Sequence, residues 1–408
     1  MAYLLDRDGL FFYLTARVDD KYVMRAYMWT CIAVVIVIGV SVGLGAHRNQ
    51  RAFLAKPVQH FSQQTYHLVW GGTIAVSLLL TGLAWRSNGY TVPLLQLLAD
   101  PVRYLFLRTE ARENISQVLL NANLLFLCSL SLVLAAFFLK RNKRLKLLIT
   151  VLNLLLVGSF TLAKSPIAKV VVITLIFFSC MRPIRVATLA KFGAVFILAV
   201  LPLFIVAEAG LGSWAKDRTL TQTLASRVLY GQWAALPFFF EIYEKKRASL
   251  GTLQPTYLAG SKAERWSYRG EEAPARQAMR LVTGYRDLES AGVGVAVTFF
   301  IGDAYGVFGY PGIVMAAVVV GLEILLLTLV LLHWPRNVLT MFLFTWFCFK
   351  FATSAITGFS GFMFGSATYL LLLLAITTFF AQRNRRNSLG RPPPATPSVI
   401  SPVVDGAR

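Results

Sequence analysis

Nine stretches of this chain are apolar over most of a bilayer's width, at roughly 27–45, 67–85, 115–139, 146–163, 167–181, 192–212, 310–333, 337–356 and 362–381. A helix needs about 20 apolar residues to cross hydrocarbon, because its backbone polar groups find no water there and must bond to one another. So many blocks cannot share one soluble core. Only 14% of the 408 residues are charged, against about 25% in a soluble domain. The fold class expected is an all-α polytopic membrane protein with about nine to eleven transmembrane helices. The fifth block is the shortest, and tilt or local thinning of the bilayer would accommodate it.

The formal charge of +21 would suggest nucleic acid if it lay on one folded face. It is instead spread over short loops and the C-terminal tail, which excludes that class and reports topology. K-R-N-K-R-L-K at 140–146, R-P-I-R at 182–185 and R-N-R-R at 383–386 are strongly basic and expected to be cytoplasmic. Counting spans from the first returns the other two to that side, together with 46–66. The N-terminal 26 residues carry four acids and four bases and fall outside. So do 86–114, the short K-S-P-I-A-K turn at 164–169, and 213–291. With twelve Lys/Arg and eight Asp/Glu, 213–291 is far longer than an ordinary helix connection. The expected organisation is 1–212 transmembrane, 213–291 a large extracytoplasmic loop with surface helices, 292–382 transmembrane, and 383–408 a disordered basic tail rich in Pro and Ser after Gly390. No cleavable signal pattern is expected, since Asp6, Arg7 and Asp8 precede any apolar run. Cys31, Cys128, Cys180 and Cys348 all fall in apolar blocks, and no Cys/His spacing suggests a metal or a disulfide frame.

S-R-V-L-Y-G-Q-W-A-A-L-P-F-F-F-E-I-Y-E-K-K-R (226–247) is too polar to span a membrane and too apolar for open water. Pro237 would kink a helix there. Two readings are open: an interfacial amphipathic anchor with a snorkelling arginine, or the wall of a pocket holding a lipid-linked substrate. Glu208, Asp303, Glu323 and Lys350 lie within or at the edge of apolar blocks, where charge is costly and marks functional candidates. Lys350 is expected in the outer half of its span, facing an anion or paired with Glu323 or Asp303. Gly302 and Gly306 flank Asp303, so the helix there is expected to be close-packed or broken.

The order R-V-L-Y-G-Q followed by P-F-F-F-E-I-Y resembles the stretch that opens the large external loop of bacterial oligosaccharide repeat-unit polymerases, the O-antigen polymerase family. G-V-G-V-A-V-T-F-F-I-G-D-A-Y-G-V-F-G-Y-P-G (292–312) is similar to that family's segment after the loop, and A-K-S-P-I (163–167) to its small basic external turn. The resemblance covers most of the chain's plan. It implies a C-type glycosyltransferase-like fold in the bacterial inner membrane, with undecaprenyl-diphosphate-linked oligosaccharides and membrane lipids as partners alongside a flippase and a chain-length regulator, and without cofactor or metal. Joining such units develops charge on a departing lipid diphosphate, which fixed cations stabilise. Arginine suits this because its fork binds phosphate bidentately. The resemblance puts Arg227, Gln232 and Tyr230 in a diphosphate and glycan site. Lys164, Arg265, Arg269, Arg276, Arg280 and Lys350 are further candidates; Arg269, Arg276 and Arg280 have the spacing of one helical face, which would also suit a salt-bridged solvated face among Glu264, Glu271 and Glu272. Asp303 is the expected group to orient or deprotonate the acceptor hydroxyl, with Glu241 second. The alternatives are an O-antigen ligase-like transferase, disfavoured because no histidine lies in 213–291, and a polysaccharide or lipid transporter, which would show matched Gly/Pro breaks in two halves.

Overall fold

The computed structural model describes residues 18–99, 107, 110–111, 114–160, 164–181, 236–246, 267–268, 271–272, 280, 299–357 and 365–389. Eleven helices build these residues, with one short ladder pairing Ser267 to Glu272 and Tyr268 to Glu271. In chain order they are α1 (Asp20–Gly43), α2 (Ala46–Ala55), α3 (Gln63–Ser87), α4 (Pro93–Ala99), α5 (117–138), α6 (Lys143–Gly158), α7 (Lys164–Met181), α8 (Leu236–Lys246), α9 (Phe299–Leu332), α10 (Val338–Thr357) and α11 (Ser366–Leu389). Four are long and apolar enough to cross a membrane: α1, α3, most of α5, and Phe308–Leu332 of α9. Lys169–Met181, Val338–Ser354 and Ala367–Gln382 are shorter apolar helices. The sixth expected span, 192–212, lies outside the described residues, as does most of 213–291.

Contacts between helices give their relative directions. Trp29 stacks on Tyr310 at 5.0 Å, and a Cβ on Gly321 would meet Val40, so α1 and α9 run parallel. Gln63 reaches the carbonyl of Phe138 while Asn123 reaches Ser77 and Thr81, so α3 and α5 are antiparallel. Trp70 donates to Thr150 at 3.0 Å and Asn153 to Ser77 at 2.8 Å, which makes α3 and α6 parallel. These relations gather the basic connections at one end. The Lys56 ammonium caps α9 by donating to the carbonyls of Leu332 and Trp334, where a cation opposes the negative helix terminus. Arg336 donates back to the carbonyls of Leu54 and Lys56. Lys140, Lys146, Cys180 and Thr378 neighbour this same end through Gln63, His67, Arg336 and Trp334. At the opposite end the start of α4 meets the end of α6, where the Leu94 N–H donates to the Ser159 carbonyl.

Between α3, α5 and α6 the core is polar. Asn123 and Asn153 donate to Ser77, Thr81 and Cys128, all buried. In an apolar surround such bonds tie helices together, each contributing about 0.6 kcal/mol. α5 alternates α-helical and π-helical turns, at Asn123–Cys128 and Leu134–Phe138. Glu323, 9% exposed, accepts from Thr368 at 3.3 Å and so joins α9 to α11. It does not pair with Lys350.

Three expectations need correction. Residues 164–169 form the first turns of α7 and are not an external turn. Pro166 sits in the opening turn, where its missing N–H costs nothing. Arg383–Arg386 continue α11, which ends at Leu389, so the tail expected from 383 begins in a helix. Residues 46–55 of the expected loop fold as α2, turned off α1 by Gly45 at φ 95°.

Candidate functional site

At the end opposite the basic connections, α1, α8 and the first turns of α9 converge. α8 is described from Leu236, and Pro237 lies in the first turn of that described stretch. Its aromatic run was expected at headgroup level. Instead Phe238, Phe239 and Phe240 are buried at 0%, 1% and 1% exposure against α1 and α9. Phe240 stacks on Tyr305 at 4.4 Å, and Tyr243 meets Tyr305 edge-on at 6.0 Å. A Cβ at Gly306 would overlap the Tyr243 ring, so glycine is what lets α8 sit this close to α9. The helix then breaks: Gly309 adopts φ 67° and Pro311 follows, which separates 299–308 from 310–332 by a kink.

Polar groups ring this aromatic floor. Arg25 of α1 donates to the Glu244 carboxylate of α8 at 2.5 Å, both side chains more than a third exposed. The hydrogen bond from Arg25 holds the Glu244 carboxyl below its ordinary range. The Tyr22 ring lies under the Arg25 guanidinium at 5.9 Å. Burial, reinforced by the nearby Asp303 carboxylate, pushes the Tyr243 phenol upward, so it stays protonated and able to donate. Asp303 and Glu241 are both half-buried at this end. On one face of α1, Met24, Arg25, Tyr27, Met28, Cys31 and Ile32 border an open hollow of about 470 Å³.

The structure thus brings Asp303 and Glu241 together at this end, and it places Lys350 on α10, in the half of that helix away from Arg336, with its ammonium over the Trp346 ring at 5.5 Å. Arg280 is exposed. Lys164 opens α7, and its side chain lies outside the described residues. Arg227, Tyr230, Gln232, Arg265, Arg269 and Arg276 also lie outside them. Sequence reasoning missed Arg25, Glu244, Tyr22 and Tyr305. The signal for Arg25 was a lone cation directly before an apolar block, which positive-inside reasoning absorbed as a flank. Comparison of the chain with protein-family models, with curated proteins and with solved structures finds no match in any of the three.

Proposed function

We propose that this chain is a membrane-embedded glycosyltransferase that joins oligosaccharide repeat units carried on a lipid diphosphate into a longer surface polysaccharide. One observation carries the reading: the described parts of the two segments that resemble repeat-unit polymerases, 236–246 and 299–312, are far apart in sequence yet pack on each other through Phe240, Tyr243, Tyr305 and Gly306. The exposed, mostly apolar face of α1 around Arg25 agrees with it.

In this reaction the acceptor hydroxyl oxygen bonds to the donor's anomeric carbon, and the bond from that carbon to the diphosphate oxygen breaks. The electron pair leaves with the lipid diphosphate, and the hydroxyl proton passes to Asp303, with Glu241 the second candidate. Arg227 and the loop arginines neutralise the leaving group; a guanidinium about 4 Å from a phosphate oxygen contributes on the order of 4 kcal/mol at an effective dielectric of 20. Deleting the gene and separating the cell's surface polysaccharide on a gel tests the reading. Chains that stop at one repeat are expected; an unchanged ladder would refute it.

A further inference from the structure

The basic end of the molecule holds a second cluster, at the seam between α3 and α6. The Lys146 ammonium donates to Nδ1 of His67 at 2.5 Å and lies over the Trp70 ring at 5.4 Å. Both Lys146 and His67 are half-buried. The pair is held in place, since the Trp70 indole donates to Thr150 at 3.0 Å and the Thr150 hydroxyl donates to the Lys146 carbonyl at 2.8 Å. An ammonium can only donate, so the imidazole accepts at Nδ1 and carries its proton on Nε2. Among the described residues, that Nε2–H and the other ammonium protons meet no acceptor. Lys140, Arg141, Lys143 and Arg144 are exposed beside the pair. The acidic residues of the eleven helices lie elsewhere: Asp20, Glu241, Glu244 and Asp303 at the opposite end, and Glu323 nine residues before the end of α9.

Below the pair the seam is apolar and open. Gly71 and Leu78 follow His67 along one side of α3, and Ile149 and Leu156 follow Lys146 along one side of α6. None of the four is buried, and Leu78 and Leu156 are 47% and 41% exposed. A Cβ on Gly71 would meet nothing within 4 Å, so open space lies one turn below His67.

We propose that this seam binds an anionic phospholipid of the membrane, with its phosphate on the Lys146 ammonium and the His67 Nε2–H and one acyl chain along Gly71, Leu78, Ile149 and Leu156. One ammonium and one imidazole N–H suit the oxyanion of a phosphodiester. The surrounding excess of positive charge draws anionic lipid to this end, where no carboxylate of the helices competes for the cations. The apolar seam directly below selects a phosphate carried on a lipid over one free in water, because the chain leaves water along it. The site lies at the end opposite the proposed glycosyl transfer and does not rest on that reading.

The test uses the full chain in a maltoside detergent, which contains no phosphate, with phosphatidylglycerol, phosphatidylcholine and inorganic phosphate as probes. Binding is read by native mass spectrometry and by titration. The parent should hold phosphatidylglycerol more tightly than phosphatidylcholine, and inorganic phosphate at the same concentration should not displace it. Lys146→Met should weaken phosphatidylglycerol about fivefold, the effect of one cation near an anionic surface. Lys146→Arg should stay within about twofold of the parent, since charge and donors remain. Gly71→Leu fills the open space without touching a charge, and leucine suits a helix better than glycine. It should weaken the lipid severalfold, so it reports on the site even if Lys146→Met folds poorly. Lys21→Met, at the opposite end, should change nothing. Unchanged binding in both Lys146→Met and Gly71→Leu would overturn the site. Equal affinity for phosphatidylcholine would overturn the choice of an anionic lipid, and displacement by inorganic phosphate would overturn the assignment to a lipid at all.

Discussion

Arg25 and Glu244 join the first helix to α8 through one exposed ion pair. Such pairs contribute about 0.2–1 kcal/mol, so Arg25→Ala should lower thermal stability only slightly while loosening α8. The folded Glu244 carboxyl ionises below the range of a free glutamate, near about 4.3. The latch therefore contributes fully above that value and is lost as pH falls through the lowered folded one; unfolding followed between neutral pH and pH 3 should show this slope in the parent and not in Glu244→Gln. Arg227→Ala should cost about 3–4 kcal/mol of transition-state stabilisation, as loss of one oxyanion donor does. Arg227→Lys should be impaired but active. Normal accumulation of Arg227→Ala with full-length polymer would reduce the 226–247 stretch to a structural element. The lone charges in apolar blocks were legible from sequence, but their pairings were not. Glu323 and Lys350 looked like partners, yet one is held by Thr368 and the other lies over the Trp346 ring.

The contact between α8 and α9 is set by a single missing methyl group. Gly306→Ala should destabilise the fold by about 1–3 kcal/mol, the range for overpacking a filled core. Tyr243→Leu, which removes the far end of the ring that the new Cβ would strike, should restore much of that loss. Thermal unfolding of the single and double variants in detergent measures both; additive losses would show that the glycine matters for another reason. Gly302 and Gly306 announced a close-packed or broken helix, and the break falls at Gly309. α8 was harder to read. Its aromatics suit a membrane interface and a protein core equally well, and the partner that decides, Tyr305, lies some sixty residues further along the chain. Periodicity carries no information about a contact of that range.

Across the whole molecule, the apolar blocks and basic loops foretold that 46–66 and 140–146 share an end. The structure gathers Lys56, Lys140, Lys146 and Arg336 at one end through contacts that no hydropathy pattern contains. A cysteine placed at position 262 in a chain cleared of its own four thiols should label from outside the cell with a membrane-impermeant reagent; labelling only after permeabilisation would invert the topology. The most direct measurement of function is reconstitution. The purified chain is placed in liposomes with the lipid-linked oligosaccharides extracted from a strain lacking it, and products are sized with EDTA present. A ladder of lengthening lipid-linked chains that vanishes in Arg227→Ala and in Asp303→Asn is the predicted result. Folded protein that leaves the single repeats unjoined, or that joins them only when a divalent metal is restored, would contradict it.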